Sequence, residues 1–162
     1  MVHYIVNMKT LTFYTDGGCR KNPGPAASSV YFPETGHGLG AFIGESRTNN
    51  EAEAEALLMA LGYANANDVT HVNAKSDSQL LVNLVNERWK ASAQNMQELL
   101  ERFRECLPAF DSWSLTWVPR ERNSEADWIC NQVLDQAEKG EYLTCPTWFK
   151  IPSLRSSSMP SQ

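Results

Sequence analysis

An alternating apolar run that breaks on an acid and two glycines, FYTDGGCRKNPGP at residues 13–25, restricts this chain more than any other stretch of it. The alternation predicts a β-strand, and the DGG that follows predicts that it turns with Asp16 at its end. Strands disfavour Asp, so a carboxylate in that place is either a turn residue or a ligand. Further strands are read over residues 27–33, 38–44, 69–75 and 112–118 after a first one over 9–16, and helices over 50–66, 78–88, 93–106 and 124–138. Three consecutive strands followed by alternating helices and strands imply an α/β fold, a five-stranded mixed sheet with helices on both faces.

Three later acids bear on the choice between turn and ligand. The segment NEAEAEALLMALGYANA, residues 50–66, is a strong helix pattern. At about 100° per residue, Leu57, Ala60, Leu61 and Ala64 form one apolar stripe centred close to Glu53, while Glu51 and Glu55 fall on the opposite face. An inward carboxylate needs a metal or a cation, although a helix-start glutamate behind a Thr48 or Asn49 cap is the plainer alternative. Asp77 follows a short strand and opens a helical stretch, where Asp also serves as an ordinary cap. Asp127, three residues after Ser124, approximates a capping box. Singly each acid has a structural explanation. Together, two of them sit at carboxyl ends of strands, where open α/β sheets place their sites. Four acids without a His or Cys cluster favour hard divalent cations over zinc, and a pair of such ions is a standard device for phosphoryl displacement.

The segments YTDGGCRKNPGP, TNNEAEAEALLMAL, KSDSQ and WVPRERNSEADW, in this order, resemble type 1 ribonuclease H from about Lys9 to about Lys139. The resemblance implies the ribonuclease H-like fold and hydrolysis of the RNA strand of RNA–DNA hybrids to 5′-phosphate and 3′-hydroxyl ends. It makes Asp16, Glu53, Asp77 and Asp127 the acids that hold two Mg²⁺ ions, with Mn²⁺ as a possible substitute. Asn22, Asn49, Asn50 and Gln79 match positions that contact the RNA strand or the minor groove. Thr48 and Asn95 match a pocket for a DNA-strand phosphate, and Trp89 lies where the family approaches the DNA strand. Short amides, which both donate and accept, suit a duplex read through its minor groove and 2′-hydroxyls.

Two departures mark this chain. The loop before the last acid, Pro119 to Asn123, has no histidine and offers Arg120 and Arg122 as phosphate contacts instead. The shortened loop PRERNSEAD resembles the archaeal and retrovirus-like branch, and residues 88–95 run directly on with no basic protrusion. The net charge of −5 argues against a nucleic-acid binder, but metals would offset four acids. Arg20, Lys21, Arg47, Arg88, Lys90, Arg120 and Arg122 could line one surface.

With 162 residues, 42% of them hydrophobic, the chain can bury one substantial core. Residues 1–140 are expected to form the catalytic domain. Residues 141–162, with three prolines and a serine run, are expected to be a tail, partly docked through Tyr142, Trp148 and Phe149 and partly mobile. Trp113, Trp117 and Trp128 are assigned to the core. Four widely spaced cysteines read as reduced thiols, no segment reaches transmembrane length, and the N-terminus does not resemble a signal peptide. A cytoplasmic monomer is the expectation. His3, His37 and His71 have no ligand spacing.

Overall fold

The computed structural model describes residues 8–152. His3 and the expected mobile end of the tail, residues 153–162, lie outside the described residues. Strands β1 (Thr10–Cys19), β2 (Gly24–Phe32) and β3 (His37–Arg47) form an antiparallel meander. Helix α1 (Asn49–Ala66) leads to β4 (His71–Ser76), then come α2 (Gln79–Val85), α3 (Gln94–Cys106), β5 (Ser112–Trp117), α4 (Ser124–Glu138) and β6 (Thr147–Lys150). The sheet order is β5-β4-β1-β2-β3-β6, with β4 and β5 parallel to β1.

The side-chain period of a strand sets the layers. Ser28 and Ser29 are neighbours on β2 and point to opposite faces: the Ser28 hydroxyl donates to the Ala52 carbonyl of α1, the Ser29 hydroxyl to the Ala126 carbonyl of α4. On the first face Phe13, Val30, Leu39, Val72 and Leu115 pack under α1, α2 and α3. On the second face Ala27 and Phe42 meet Cys130, Val133 and Leu134 of α4. Gly40 permits that approach, because a Cβ there would lie 2.7 Å from Val133 and 2.8 Å from Ile129.

The mixed sheet with helices on both faces is as expected, but it has six strands rather than five. The sixth lies in the segment expected to be a tail. It escapes a pattern reading because it is four residues long and sits between Pro146 and Pro152. There Trp148 packs on Phe32 and Tyr63, Phe149 on Trp128, and Tyr142 on Phe42. The second helix stops at Val85, short of residue 88, because Glu87 takes a left-handed φ of 62° that ends helical pairing. β1 also runs beyond its expected end. Its pairing with β4 stops at Thr15↔Ser76, while its pairing with β2 continues through Cys19↔Ala26. Asp16 therefore sits where one neighbour ends, not where the strand does.

Candidate active site

The ends of two parallel neighbours and the start of one helix converge on a single point. Asp16 follows the last β1–β4 pair, Asp77 follows β4 directly, and Glu53 lies in the first turns of α1. One carboxylate oxygen from each lies within 4.8 Å of the others. Gly17 makes this approach possible: a Cβ there would fall 2.2–2.4 Å from the Ala52–Glu53 backbone, closer than any side chain allows.

Helix α1 is held at its start so that Glu53 alone turns inward. Thr48 caps it, accepting from the Glu51 N–H while Glu51 accepts from the Thr48 N–H. Arg47 bonds Glu51 at 2.9 Å and Glu55 at 3.3 Å, and Arg102 adds a 3.1 Å pair to Glu55. The neighbouring glutamates thus receive the cations. Glu53 is buried and its Oε2 has no hydrogen-bond partner among the described residues. The capping alternative falls to Glu51, and at α2 it falls to Ser78, which accepts from the Leu81 N–H. At α4 the N-cap is Asn123, one residue before the Ser124 that a box with Asp127 would require.

Burial, and then the charges of Asp77 and Asp127, push the Asp16 carboxyl up to about 7. Glu53 is raised well above the usual carboxylate range, first by burial and then by Asp16 and Asp77. Asp77 is raised by burial, a rise opposed by Arg120 and by a hydrogen bond from Asn123. Like charges crowded in a dry site disfavour ionisation, and a cation reverses that preference. An all-oxygen donor set with an unpartnered buried oxygen fits a hard divalent ion.

Asp127 stands apart. It is exposed in the first turn of α4 and borders the same cleft, of about 300 Å³, without joining the close trio. Arg120 lies 3.9 Å from Asp77, but it is 89% exposed. Arg122 is exposed in the same short turn, Arg120–Arg122. Arg20, expected as part of a free basic surface, instead pairs with Asp135 at 2.6 Å and Glu138 at 3.1 Å on α4, and Arg47 is likewise engaged.

Around the cleft, the Asn22 side-chain oxygen accepts from the Asn49 N–H, and Asn49 accepts from the N–H and thiol of Cys19. These bonds tie the β1–β2 turn to α1. Asn50 and Gln79 are exposed in the first turns of α1 and α2. Asn95 is exposed in the first turn of α3. Trp89 borders a separate groove with Lys90, Gln97 and Arg104. Among the described residues His37 and His71 begin β3 and β4, away from the acids.

Some residues escaped the sequence reading. Trp117 was assigned to the core but is 43% exposed, and its indole N–H donates to the Asp77 carbonyl at 3.2 Å. Cys130 is buried behind the acids, and burial lifts its thiol further from ionisation. Asn123 is 1% exposed and donates to the Thr15 carbonyl at 2.9 Å. Only its place four residues before Asp127 hinted at this.

Residues 14–133 match the reverse transcriptase-like family. Ribonuclease HI of Halobacterium salinarum is 37% identical over 127 residues, which cover 76% of this chain; the chain spans 64% of that protein's length. Ribonuclease H of Desulforamulus reducens is 30% identical over 82% of this chain and 90% of its own length. LC11-RNase H1, solved in complex with an RNA/DNA hybrid, superposes with a TM-score of 0.72 at 33% identity, covering 79% of this chain and 99% of that one. A matching family over most of the length, relatives that share its sequence and a solved structure that shares its fold agree: this chain belongs to the ribonuclease H family.

Proposed function

We propose that the protein is a metal-dependent endoribonuclease that hydrolyses the RNA strand of RNA–DNA hybrids, leaving 5′-phosphate and 3′-hydroxyl ends. The observation that carries this is the trio of buried Asp16, buried Glu53 and half-buried Asp77, with oxygens within 4.8 Å and one Glu53 oxygen unpartnered. Asp16, Glu53 and Asp77 would hold Mg²⁺, or Mn²⁺ in its place, and Asp127 would complete a two-ion site from the rim. Such ions supply positive charge to both the attacking and the departing oxygens of an in-line displacement.

The chain's own residues do the rest by position. Asn22, Asn49, Asn50 and Gln79 would offer amides to 2′-hydroxyls and minor-groove acceptors. Thr48 and Asn95 would contact a phosphate of the DNA strand, and Trp89 would stack on one of its sugars. Arg120 and Arg122 would draw the scissile phosphate inward. An arginine stays protonated and cannot shuttle a proton, so these residues attract and orient only. The hybrid held by LC11-RNase H1 supports this substrate. Among the described residues no helix is long and apolar enough to cross a membrane.

The test uses end-labelled RNA–DNA hybrid, duplex RNA and duplex DNA with Mg²⁺, Mn²⁺ or EDTA. Cleavage of the hybrid's RNA strand alone, abolished by EDTA, is the expected result. An intact hybrid in both metals, or cleavage that survives chelation, would refute the proposal.

A further inference from the structure

We propose that Asn123 is a positioning residue for the acid cluster: its buried amide braces the Asp77 carboxylate against the main chain beside Asp16, while its own carbonyl anchors the turn carrying Asp127. The role rests on the metal-site reading above. The Asn123 Nδ2 donates to the carbonyl of Thr15, the last β1 residue paired with β4 before Asp16. The same amide lies beside the Asp77 carboxylate and favours its charged form. Its main-chain carbonyl accepts the Asp127 N–H at 3.1 Å. One residue therefore touches the support of three acids that arrive on β1, after β4 and on α4.

Local chemistry argues that this arrangement is more than helix capping. Asn is favoured at an N-cap because its side-chain oxygen accepts from the first free N–H groups. Asn123 is the N-cap of α4 and makes no such bond. Its amide turns inward instead, and its Oδ1 stays buried without a partner among the described residues. Both features are locally unfavourable. A residue kept only to start a helix would need neither. They are accounted for if the amide N–H groups are required at the cluster, to hold Asp77 at a fixed distance from Asp16 before any ion arrives.

The experiment compares Asn123→Ala and Asn123→Ser with the unmodified enzyme, measuring Mg²⁺ binding by calorimetry on metal-free protein, the melting temperature, and hybrid cleavage. Groups that orient metal ligands typically change affinity or rate by about 10–100-fold when removed, so Asn123→Ala should bind Mg²⁺ at least about tenfold more weakly while folded. The turnover rate should fall with little change in KM for hybrid, and Asn123→Ser should lie in between. In an Asp77→Asn background, Asn123→Ala should cause little further loss of Mg²⁺ affinity, since the two would act as a unit. Mg²⁺ affinity unchanged within about twofold in both variants would overturn the role. Two unfolded variants would also overturn it, assigning Asn123 to the fold alone. An unmodified enzyme that binds no Mg²⁺ refutes the metal-site reading, whereas normal Mg²⁺ binding beside an unaffected Asn123→Ala refutes only the role of Asn123.

Discussion

The floor and the rim of the cleft are built on opposite principles. On the floor, Asp16 and Glu53 are buried, α1 is fixed by a complete capping box, and Gly17 lets main chain touch main chain. On the rim, Asp127 and Arg120 are exposed, and Arg120 approaches the largely covered Asp77 side chain to 3.9 Å from the solvent side. A dry site makes each charge strong and each misplacement expensive, whereas a wet one screens its charges and tolerates movement. The floor is therefore suited to fixing ions and the rim to meeting a substrate that arrives and leaves.

The sharpest test of this contrast removes a floor charge. Asp16→Asn or Glu53→Gln should lower hybrid cleavage by about 10³-fold or more, because no other group can take the lost ligand's place. The same variants should melt no lower than the parent in EDTA, since a crowded negative charge has gone. The Asp16 carboxyl, lifted by burial to about 7, binds its proton more tightly when folded. Its contribution to stability is full below the ordinary carboxylate range and is lost as pH rises through about 7. Metal-free protein should thus melt lower at pH 8 than at pH 5.5, and Asp16→Asn should flatten that dependence. A steep dependence that survives in Asp16→Asn would break the account of the floor.

Gly17→Ala changes no charge and tests geometry alone. Overpacking against Ala52 and Glu53 should cost about 1–3 kcal/mol of stability, read as a lower melting temperature, with cleavage down by about 10²-fold. A variant that melts lower yet cleaves normally would show that the floor need not be rigid. The smallest effects should fall on the rim. Asp127→Asn should slow turnover by about tenfold, and Arg120→Ala should raise KM only a few-fold, by an amount that shrinks with salt. Rim losses as large as floor losses would dissolve the contrast.

The floor was legible in the sequence for a geometric reason. A 100° rotation per residue puts Glu53, but not Glu51 or Glu55, over the apolar stripe of α1, and the structure buries Glu53 alone of the three. The three early strands, the long helices and their order were equally readable from period and punctuation. What failed depended on distant partners. Asp16 was expected at a strand end because DGG suggests a turn, yet pairing with β2 carries β1 on to Cys19. Trp117 alternates like a core residue, but no helix covers it at the end of β5. Asn123 precedes a helix and so resembles any cap, and only the fold turns its amide inward.

The short strand β6 has a consequence of another kind. It pairs with β3 from His37 to Gly40, and just beyond it the Leu143 carbonyl takes the Phe42 N–H at 2.7 Å. Without residues 141–150, the outer side of β3 would present a row of unpaired donors and acceptors over an apolar stretch, and such an edge recruits other chains. The segment expected to dock through Tyr142, Trp148 and Phe149 thus also covers the open edge of β3. A fragment ending at residue 140 would keep all four acids and leave that edge of β3 open.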